Sequence, residues 1–181
     1  MKQGPSPEDP PPKRIILGID PGLATLGYGL LAVSPVGPEH LDHGCVLTRP
    51  SASLPQRLRT IFKQLTALCE RYAVTDVAME SLYYAPSLTA LGIGEARGVA
   101  ILAVAGQGAS FHEYSPTKVK ESVSGTGGAK KRQVQEMVRL VLNLETVPSP
   151  DDAADALAIA LCHARQLDLD RILRAPGTVA F

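Results

Sequence analysis

Four acidic residues lie at the ends of apolar segments, where a metal site could be built. Asp20 and Glu80 each end a short apolar run, and Asp152 and Asp155 lie three positions apart at the start of a long apolar-striped segment. Carboxylate oxygens are the ligands that suit Mg²⁺ or Mn²⁺. Two such ions, held about 3.5–4 Å apart, can activate water and stabilise the leaving oxygen of a phosphoryl displacement. The four acids therefore indicate metal-dependent phosphoryl chemistry.

Each of these acids also has an ordinary structural explanation. Asp20 opens an Asp-Pro-Gly turn signal, and Glu80 could mark the point where a strand returns to water. Asp152 follows Ser149 by three positions, as in a capping box at the start of a helix. Asp155 resists this explanation, because it lies one turn further in, where a second like charge is unfavourable without a compensating cation. The coincidence of four acids at element ends favours the metal site.

The composition fits one globular domain. The chain has 181 residues, a mass of 19.1 kDa and 45% apolar residues, which is enough for a substantial core. The formal net charge is zero, so no global field attracts nucleic acid or a membrane. The cysteines are widely spaced and do not form a zinc-ligand motif. Together with the lack of a signal peptide and of a long apolar run, they predict a cytoplasmic protein.

Apolar periodicity predicts an α/β fold with a mixed five-stranded sheet flanked by helices. The predicted strands cover residues 15–19, 27–33, 44–48, 77–80 and 111–114. Helices are predicted over about 54–72, from near Ser87, around 134–142 and from the last pair of acids onward. A short first connection favours an antiparallel hairpin. For Asp20 to meet Glu80 their strands must be neighbours, and the last helix must cross the sheet.

Three segments, in consistent order and spacing, resemble the RuvC family of Holliday-junction resolvases. They are Ile16-Leu-Gly-Ile-Asp-Pro-Gly-Leu-Ala-Thr-Leu-Gly-Tyr-Gly29, Gly94-Glu-Ala-Arg-Gly-Val-Ala100 and Asp152-Ala-Ala-Asp-Ala-Leu-Ala-Ile-Ala160. The resemblance implies a ribonuclease H-like fold and a homodimer that resolves four-way DNA junctions by paired symmetric incisions during recombination and repair. It also implies Mg²⁺ or Mn²⁺, and a branch-migration complex as a partner. By position, the family's catalytic and metal-binding acids correspond to Asp20, Glu80, Asp152 and Asp155.

The match runs from about residue 14 to residue 165, which sets the expected domain organisation. Residues 1–12, which are rich in proline, are predicted to be a disordered extension. Residues 13–167 are predicted to form the ribonuclease H-like nuclease domain, and residues 168–181 a C-terminal tail. The helix that begins near Ser87 is expected to form the dimer interface, because Gly94 and Gly98 would allow a close approach.

Three residues are predicted to contact DNA. Tyr83 follows Glu80 closely and stands where the resemblance predicts an aromatic residue near the junction, although a Phe is expected there. Its ring could stack on an unpaired base, or it could simply pack in the core. The resemblance also points to Lys120 and Lys131, which flank a Gly-rich turn. The alternative is that these lysines only solvate helix faces. Arg97 is interpreted as a packing or dimer residue, and His163 as an ordinary helix residue.

Two other functions compete with the nuclease. The Asp-Pro-Gly turn also resembles the phosphate-binding turn of sugar kinases and Hsp70-type ATPases, which share the superfold. Those proteins enclose a nucleotide between two such domains, and this chain lacks a second phosphate-binding turn. A junction-binding protein without catalysis is the other alternative. It is disfavoured because none of the four acids is lost.

Overall fold

The sheet is built from strands whose side chains alternate between its two faces. The computed structural model of the protein describes residues 13–81 and 88–174, and within them the sheet has five strands in the order β3-β2-β1-β4-β5. The strands are β1 (Arg14–Asp20), β2 (Thr25–Ser34), β3 (Gly37–Leu47), β4 (Asp76–Glu80) and β5 (Ser110–Tyr114). The first three form an antiparallel meander, and β4 and β5 run parallel to β1. The predicted mixed sheet is confirmed.

Helices cover both faces of this sheet. They are α1 (Leu54–Tyr72), α2 (Leu88–Ala105), α3 (Pro116–Ser124), α4 (Lys131–Val141) and α5 (Asp151–Arg174). α1 and α2 share an apolar cluster with Leu17 and Ile19 on one face, whereas α3, α4 and α5 pack with Ile16 and Ala78 on the other. Burial of a large aliphatic side chain such as Leu157 contributes about 1.5–3 kcal/mol, so both layers stabilise the sheet.

The two-residue period of the strands decides which side chains face α5. In β1, Leu17 and Ile19 point to α1 and α2, so Gly18 and Asp20 point to the opposite face. In β4, Met79 likewise belongs to the α1 and α2 side, which leaves Glu80 on the α5 side. Both strand-end acids therefore face the helix that carries the other two.

Glycines in the sheet allow α5 to lie directly on the strand backbones. A Cβ added to Gly29 would lie 2.7 Å from the amide nitrogen of Leu157, and one added to Gly27 would overlap the carbonyl group of Asp152. Gly18 is equally close to the backbone of α5. Such contacts are possible only without a side chain, so these glycines set how near the helix comes to the sheet.

Three topological predictions are confirmed. β1 and β2 form the expected antiparallel hairpin, β1 and β4 are parallel neighbours, and α5 crosses the sheet over β1 and β2. β3 begins at Gly37, earlier than the predicted residue 44. Its early part is only partly buried, so it lacks the apolar run on which the prediction depended.

α3 was not predicted, although its ends carry recognisable signals. The Ser115 hydroxyl accepts a hydrogen bond from the amide of Lys118 at 3.2 Å, and Pro116 occupies the first turn. Gly125 ends the helix with φ +78°. The apolar stripe is limited to Val119 and Val123, too weak a pattern to stand out from the lysines and serines around it.

The start of α5 contradicts the capping-box interpretation. The helix begins at Asp151, and the carbonyl of Pro150 accepts from the amides of Ala153 and Ala154 at 3.0 and 3.2 Å. Ser149 therefore precedes the cap position. The helix continues past residue 168 to Arg174. Among the described residues, no helix combines the length and the hydropathy that crossing a membrane requires.

Candidate active site

The ends of β1 and β4 bring two of the predicted acids together. Ile19 pairs with Met79 in the parallel ladder, so the next residue of each strand, Asp20 and Glu80, lies at the same edge of the sheet. Both side chains face α5, as the strand alternation requires. Asp20 is also the register partner of Gly27 in β2, the residue that touches the first turn of α5.

Asp155 of α5 completes a cavity with these two acids. The cavity has a volume of about 310 Å³, and the residues that line it include Asp20, Glu80, Asp155, Lys120 and Lys131. Three of the four predicted acids and both predicted lysines therefore share one opening. These residues come from β1, β4, α3, α4 and α5, so two neighbouring strands and all three helices on that face contribute to the site.

Asp152 lies beside this cavity rather than in its lining. Its carbonyl touches Gly27, and its carboxylate is close enough to Asp20 to raise the pKa of that group. The four predicted acids therefore form one electrostatic group. The sequence predicted this convergence, and the described residues place all four acids at the same end of the sheet.

Burial and like charge both act on Asp20. Desolvation, followed by the charges of Asp155, Asp152 and Glu80, raises the pKa of the Asp20 carboxyl from 3.8 to about 7. Burial, followed by the charge of Asp155, also raises the pKa of Glu80. Such crowding of carboxylates is unfavourable unless a cation neutralises it. An all-oxygen, strongly anionic donor set is what hard divalent cations prefer, so the residues fit Mg²⁺ or Mn²⁺.

Lys131 contacts the acids directly, which the sequence did not predict. Its Nζ lies 2.8 Å from Asp155 Oδ2 and 3.3 Å from Asp151 Oδ2. Lys120 lies near Glu80, where its charge partly offsets the increase in the pKa of that carboxyl caused by burial and by Asp155. Both lysines therefore stand at the acid site instead of on a remote helix face. Their predicted contacts with phosphate stay a prediction.

Arg97 was interpreted as a packing or dimer residue, but its contacts tie it to the end of β4. Its Nη1 donates to the carbonyl of Glu80 at 2.9 Å, and its other terminal nitrogen pairs with Glu113 of β5. The side chain is 14% exposed. It therefore fixes the backbone that carries Glu80, and no local pattern in the sequence predicted this contact. Tyr83 lies outside the described residues, and its predicted contact with DNA stays a prediction.

The raised pKa of Asp20 leads to a prediction about stability without metal. A carboxyl whose pKa is about 7 when folded and 3.8 when unfolded holds its proton more tightly in the folded state. The free energy of unfolding should therefore fall as pH rises from 3.8 to about 7, by on the order of 2–4 kcal/mol. Asp20→Asn should remove this loss and be more stable than the parent protein above pH 7.

Urea unfolding in a chelator, at roughly pH 5 and pH 8, measures this difference. Glu39→Gln is the matched control, because Glu39 is an exposed acid that pairs only with Lys13 among the described residues. It should keep the parent's pH dependence. If Asp20→Asn showed the same decrease with pH as the parent, Asp20 would not be the residue that resists ionisation.

Comparison with known proteins gives consistent matches over most of the chain. The family described as crossover junction endodeoxyribonuclease RuvC matches residues 16–163. Proteins with that description from Heliobacterium modesticaldum and Chloroflexus aurantiacus are each 50% identical, over 84% and 82% of this chain and 95% and 91% of their own lengths. The structure of Thermus thermophilus RuvC in complex with a Holliday junction substrate is similar, with a TM-score of 0.82 and 33% identity. That match covers 87% of this chain and 96% of the other.

Proposed function

Because this chain belongs to the RuvC family of crossover junction endodeoxyribonucleases, we propose that it resolves four-way DNA junctions by paired symmetric incisions. The fold is ribonuclease H-like, as in its structural relatives. The proposed catalytic and metal-binding acids are Asp20, Glu80, Asp152 and Asp155. The observation that carries this assignment is the cavity in which acids of β1, β4 and α5 meet two lysines.

The acids would hold two Mg²⁺ or Mn²⁺ ions. When bound, such ions activate water and neutralise charge on the leaving oxygen of a phosphodiester. Asp20 and Glu80 are fixed by the ladder between β1 and β4, and Arg97 holds the backbone at Glu80. Lys131 already pairs with Asp155, and an incoming phosphate offers this lysine a second anion. Rigid elements thus position the carboxylates, while flexible lysines attract the DNA backbone.

Cleavage of a synthetic four-way junction tests this function. With Mg²⁺ the protein should cut two strands at symmetric positions, should leave a linear duplex of the same sequence intact, and should stop when the ion is chelated. Binding without cleavage at any concentration of Mg²⁺ or Mn²⁺ would favour a junction-binding protein instead. Hydrolysis of ATP with no effect on the junction would favour the kinase-like alternative.

Lys120→Ala and Lys131→Ala should weaken junction binding or cleavage and reduce its dependence on salt. Each lysine that neutralises one phosphate contributes roughly 0.9 to the slope of log affinity against log salt concentration. The measurement is junction affinity over a range of salt concentrations. Lys63→Ala is the control, since Lys63 is exposed on α1, on the opposite face of the sheet. If the salt slope and the cleavage rate were unchanged in both variants, these lysines would only solvate the helix surfaces and would not contact phosphate.

α2 offers a surface that fits a second copy of the chain. One side of the helix packs on α1, and Ala96 and Ala100 are buried there. The other side presents a stripe of apolar or small residues that are all exposed: Leu91, Gly94, Gly98, Leu102 and Ala105. Nothing lies within 4 Å of a Cβ built on Gly94 or Gly98, so a partner could approach the helix closely. We infer that α2 forms the interface of a two-fold homodimer, which would place two sites on one junction.

Leu102→Glu should convert a dimer into a monomer at micromolar concentration. Leu102 is 64% exposed, so a charge there leaves the folded chain intact but must be desolvated in a dimer interface. Sedimentation equilibrium measures the change. Leu140→Glu is the control, because Leu140 of α4 is similarly exposed, at 58%, on another face. A parent protein that is monomeric, or a Leu102→Glu variant that dimerises as well as the parent, would rule out this interface.

We also infer from the family that the protein works in the cytoplasm beside a branch-migration complex. Retention of the purified complex by immobilised wild-type protein, with junction DNA present, tests the partnership. Absence of any retention would contradict it.

A further inference from the structure

A second group of titratable side chains lies away from the catalytic acids, at the start of β4 and the middle of β5. It consists of Asp76, His112 and His163, whose ligand atoms all lie within 4.8 Å of one another. Asp76 begins β4 and Glu80 ends it, so about 13 Å of strand separates Asp76 from Glu80. The strand alternation that turns Glu80 toward α5 also turns Asp76 the same way. The group is therefore a separate feature of the same face.

Two ring nitrogens in this group are buried, and neither makes a hydrogen bond of normal geometry. They are Nε2 of His112 and Nε2 of His163. The side chain of His163 is 1% exposed, and Asp76 is completely buried. The nearest acceptor for both is the Asp76 carboxylate, to which His163 makes a weak hydrogen bond, so neither nitrogen has a partner at an ideal distance. The nitrogens point toward Asp76 Oδ1, at 3.7 Å from His112 and 3.4 Å from His163.

Two of the three separations, 3.4 Å and 3.7 Å, lie close to the edges of a tetrahedral metal site, and the ligand atoms of the two histidines lie within 4.8 Å of each other. Zinc ligated by imidazole nitrogen and carboxylate oxygen at 2.0–2.2 Å holds its ligand atoms about 3.3–3.6 Å apart. The two rings are stacked, with centroids 4.1 Å apart, and the Nε2 atoms of both lie near the same oxygen, Asp76 Oδ1. Nδ1 of His163 lies 2.7 Å from the hydroxyl of Tyr114, and donation from Nδ1 would leave Nε2 free as a ligand. We propose that Asp76, His112 and His163 bind one Zn²⁺ ion.

The fourth position and the route of entry lie on the side of His112. His112 lines a cavity of about 590 Å³ between β1, β5 and the end of α5, and its own side chain is 37% exposed. Asp168 and Asp170 also line this cavity, and Arg14 and Arg171 balance their charge, with Arg171 paired to Asp168 at 3.1 Å. A water molecule from this cavity would complete the tetrahedron. The bound ion would link β4, β5 and α5 at the end of the sheet away from the acids, and so stabilise the fold.

Arg14 competes with the metal for Asp76. Its Nη1 donates to Asp76 Oδ1 at 2.7 Å, whereas Thr75 holds the other oxygen, also at 2.7 Å. The Arg14 side chain is 47% exposed, so it can turn into solvent when Zn²⁺ takes its place as the counter-charge. Thr75 would continue to orient the carboxylate. Removal of Arg14 should therefore strengthen zinc binding, which distinguishes a metal site from a simple ion-pair network.

Calorimetric titration of metal-free protein with Zn²⁺ tests the proposal. All measurements use the Asp155→Asn background, because the catalytic carboxylates could also bind zinc. One Zn²⁺ per chain should bind, His112→Ala should weaken binding at least about tenfold, and Arg14→Gln should strengthen it. Titration with Co²⁺ should give the visible absorption of a tetrahedral ion in the background protein and not in His112→Ala.

His40→Ala is the matched control. His40 and His43 form the other histidine pair of the chain, with His40 Nε2 2.8 Å from His43 Nδ1, so they could bind zinc by themselves. Binding should be unchanged in this variant. No binding of Zn²⁺ by the background protein, or equal affinity in His112→Ala, would overturn the proposal. If His40→Ala lost zinc binding instead, the zinc site would lie on β3, and the proposal would also be overturned. Because His112 is partly exposed, its replacement is compatible with folding, which circular dichroism confirms before titration.

Discussion

Each of four amide substitutions is expected to reduce junction cleavage by roughly a thousandfold or more, while junction binding is retained. The variants are Asp20→Asn, Glu80→Gln, Asp152→Asn and Asp155→Asn. An amide keeps the shape of the carboxylate but loses the charge that holds a divalent ion. Loss of about 4 kcal/mol of charge stabilisation corresponds to this factor in rate. Binding persists because it depends mainly on contacts between basic groups and phosphates.

Single-turnover cleavage and gel mobility shift of the same labelled junction measure the two properties together. Glu39→Gln serves again as the control, since this exposed acid of β3 takes no part in the cavity. Asp20→Asn should be both inactive and more stable without metal, a combination that a merely damaged fold cannot produce. Substantial cleavage by any one variant would remove that residue from the catalytic set.

Much of the acid site could be predicted because its residues carry local signals. Asp20 and Glu80 end apolar strands, and Asp152 and Asp155 lie at the start of an apolar helix, so each position has a recognisable context. The order of the elements then requires neighbouring strands and a crossing helix for the acids to meet. The motifs that resemble a known family added the assignment of each acid and its metal, which periodicity alone does not provide.

The histidine group could not be predicted in the same way. Asp76, His112 and His163 are dispersed along the chain, and each has an ordinary context in the sequence. Only the register between β4 and β5, together with the crossing of α5, brings them within 4.8 Å. The contact between Lys131 and Asp155 is similar, since it depends on how α4 packs beside α5. Contacts between distant elements are set by tertiary packing, which local patterns do not encode.

Gly27→Ala is expected to reduce cleavage by roughly a hundredfold or more and to lower the free energy of unfolding by about 1–3 kcal/mol. Gly27 is the register partner of Asp20, and its missing side chain makes room for the carbonyl of Asp152. A methyl group there must push the first turn of α5 away from β2. The acids of α5 would then move relative to Asp20, and a displacement of about 1 Å is enough for such a loss of rate.

Gly106→Ala is the control for a glycine-to-alanine change that displaces no neighbour, because a Cβ on Gly106 would meet nothing within 4 Å. That control should cleave junctions at the parent rate. A domain with roughly 5–15 kcal/mol of stability remains folded after the expected loss, so inactivity of a folded Gly27→Ala variant reflects displaced acids. The variant should still bind the junction, since the atoms nearest to a Cβ on Gly27 belong to Asp152 and Ala153 of α5 and not to the lysines of α3 and α4. A folded Gly27→Ala protein that cleaves at the parent rate would show that the contact between β2 and α5 does not set the positions of the acids.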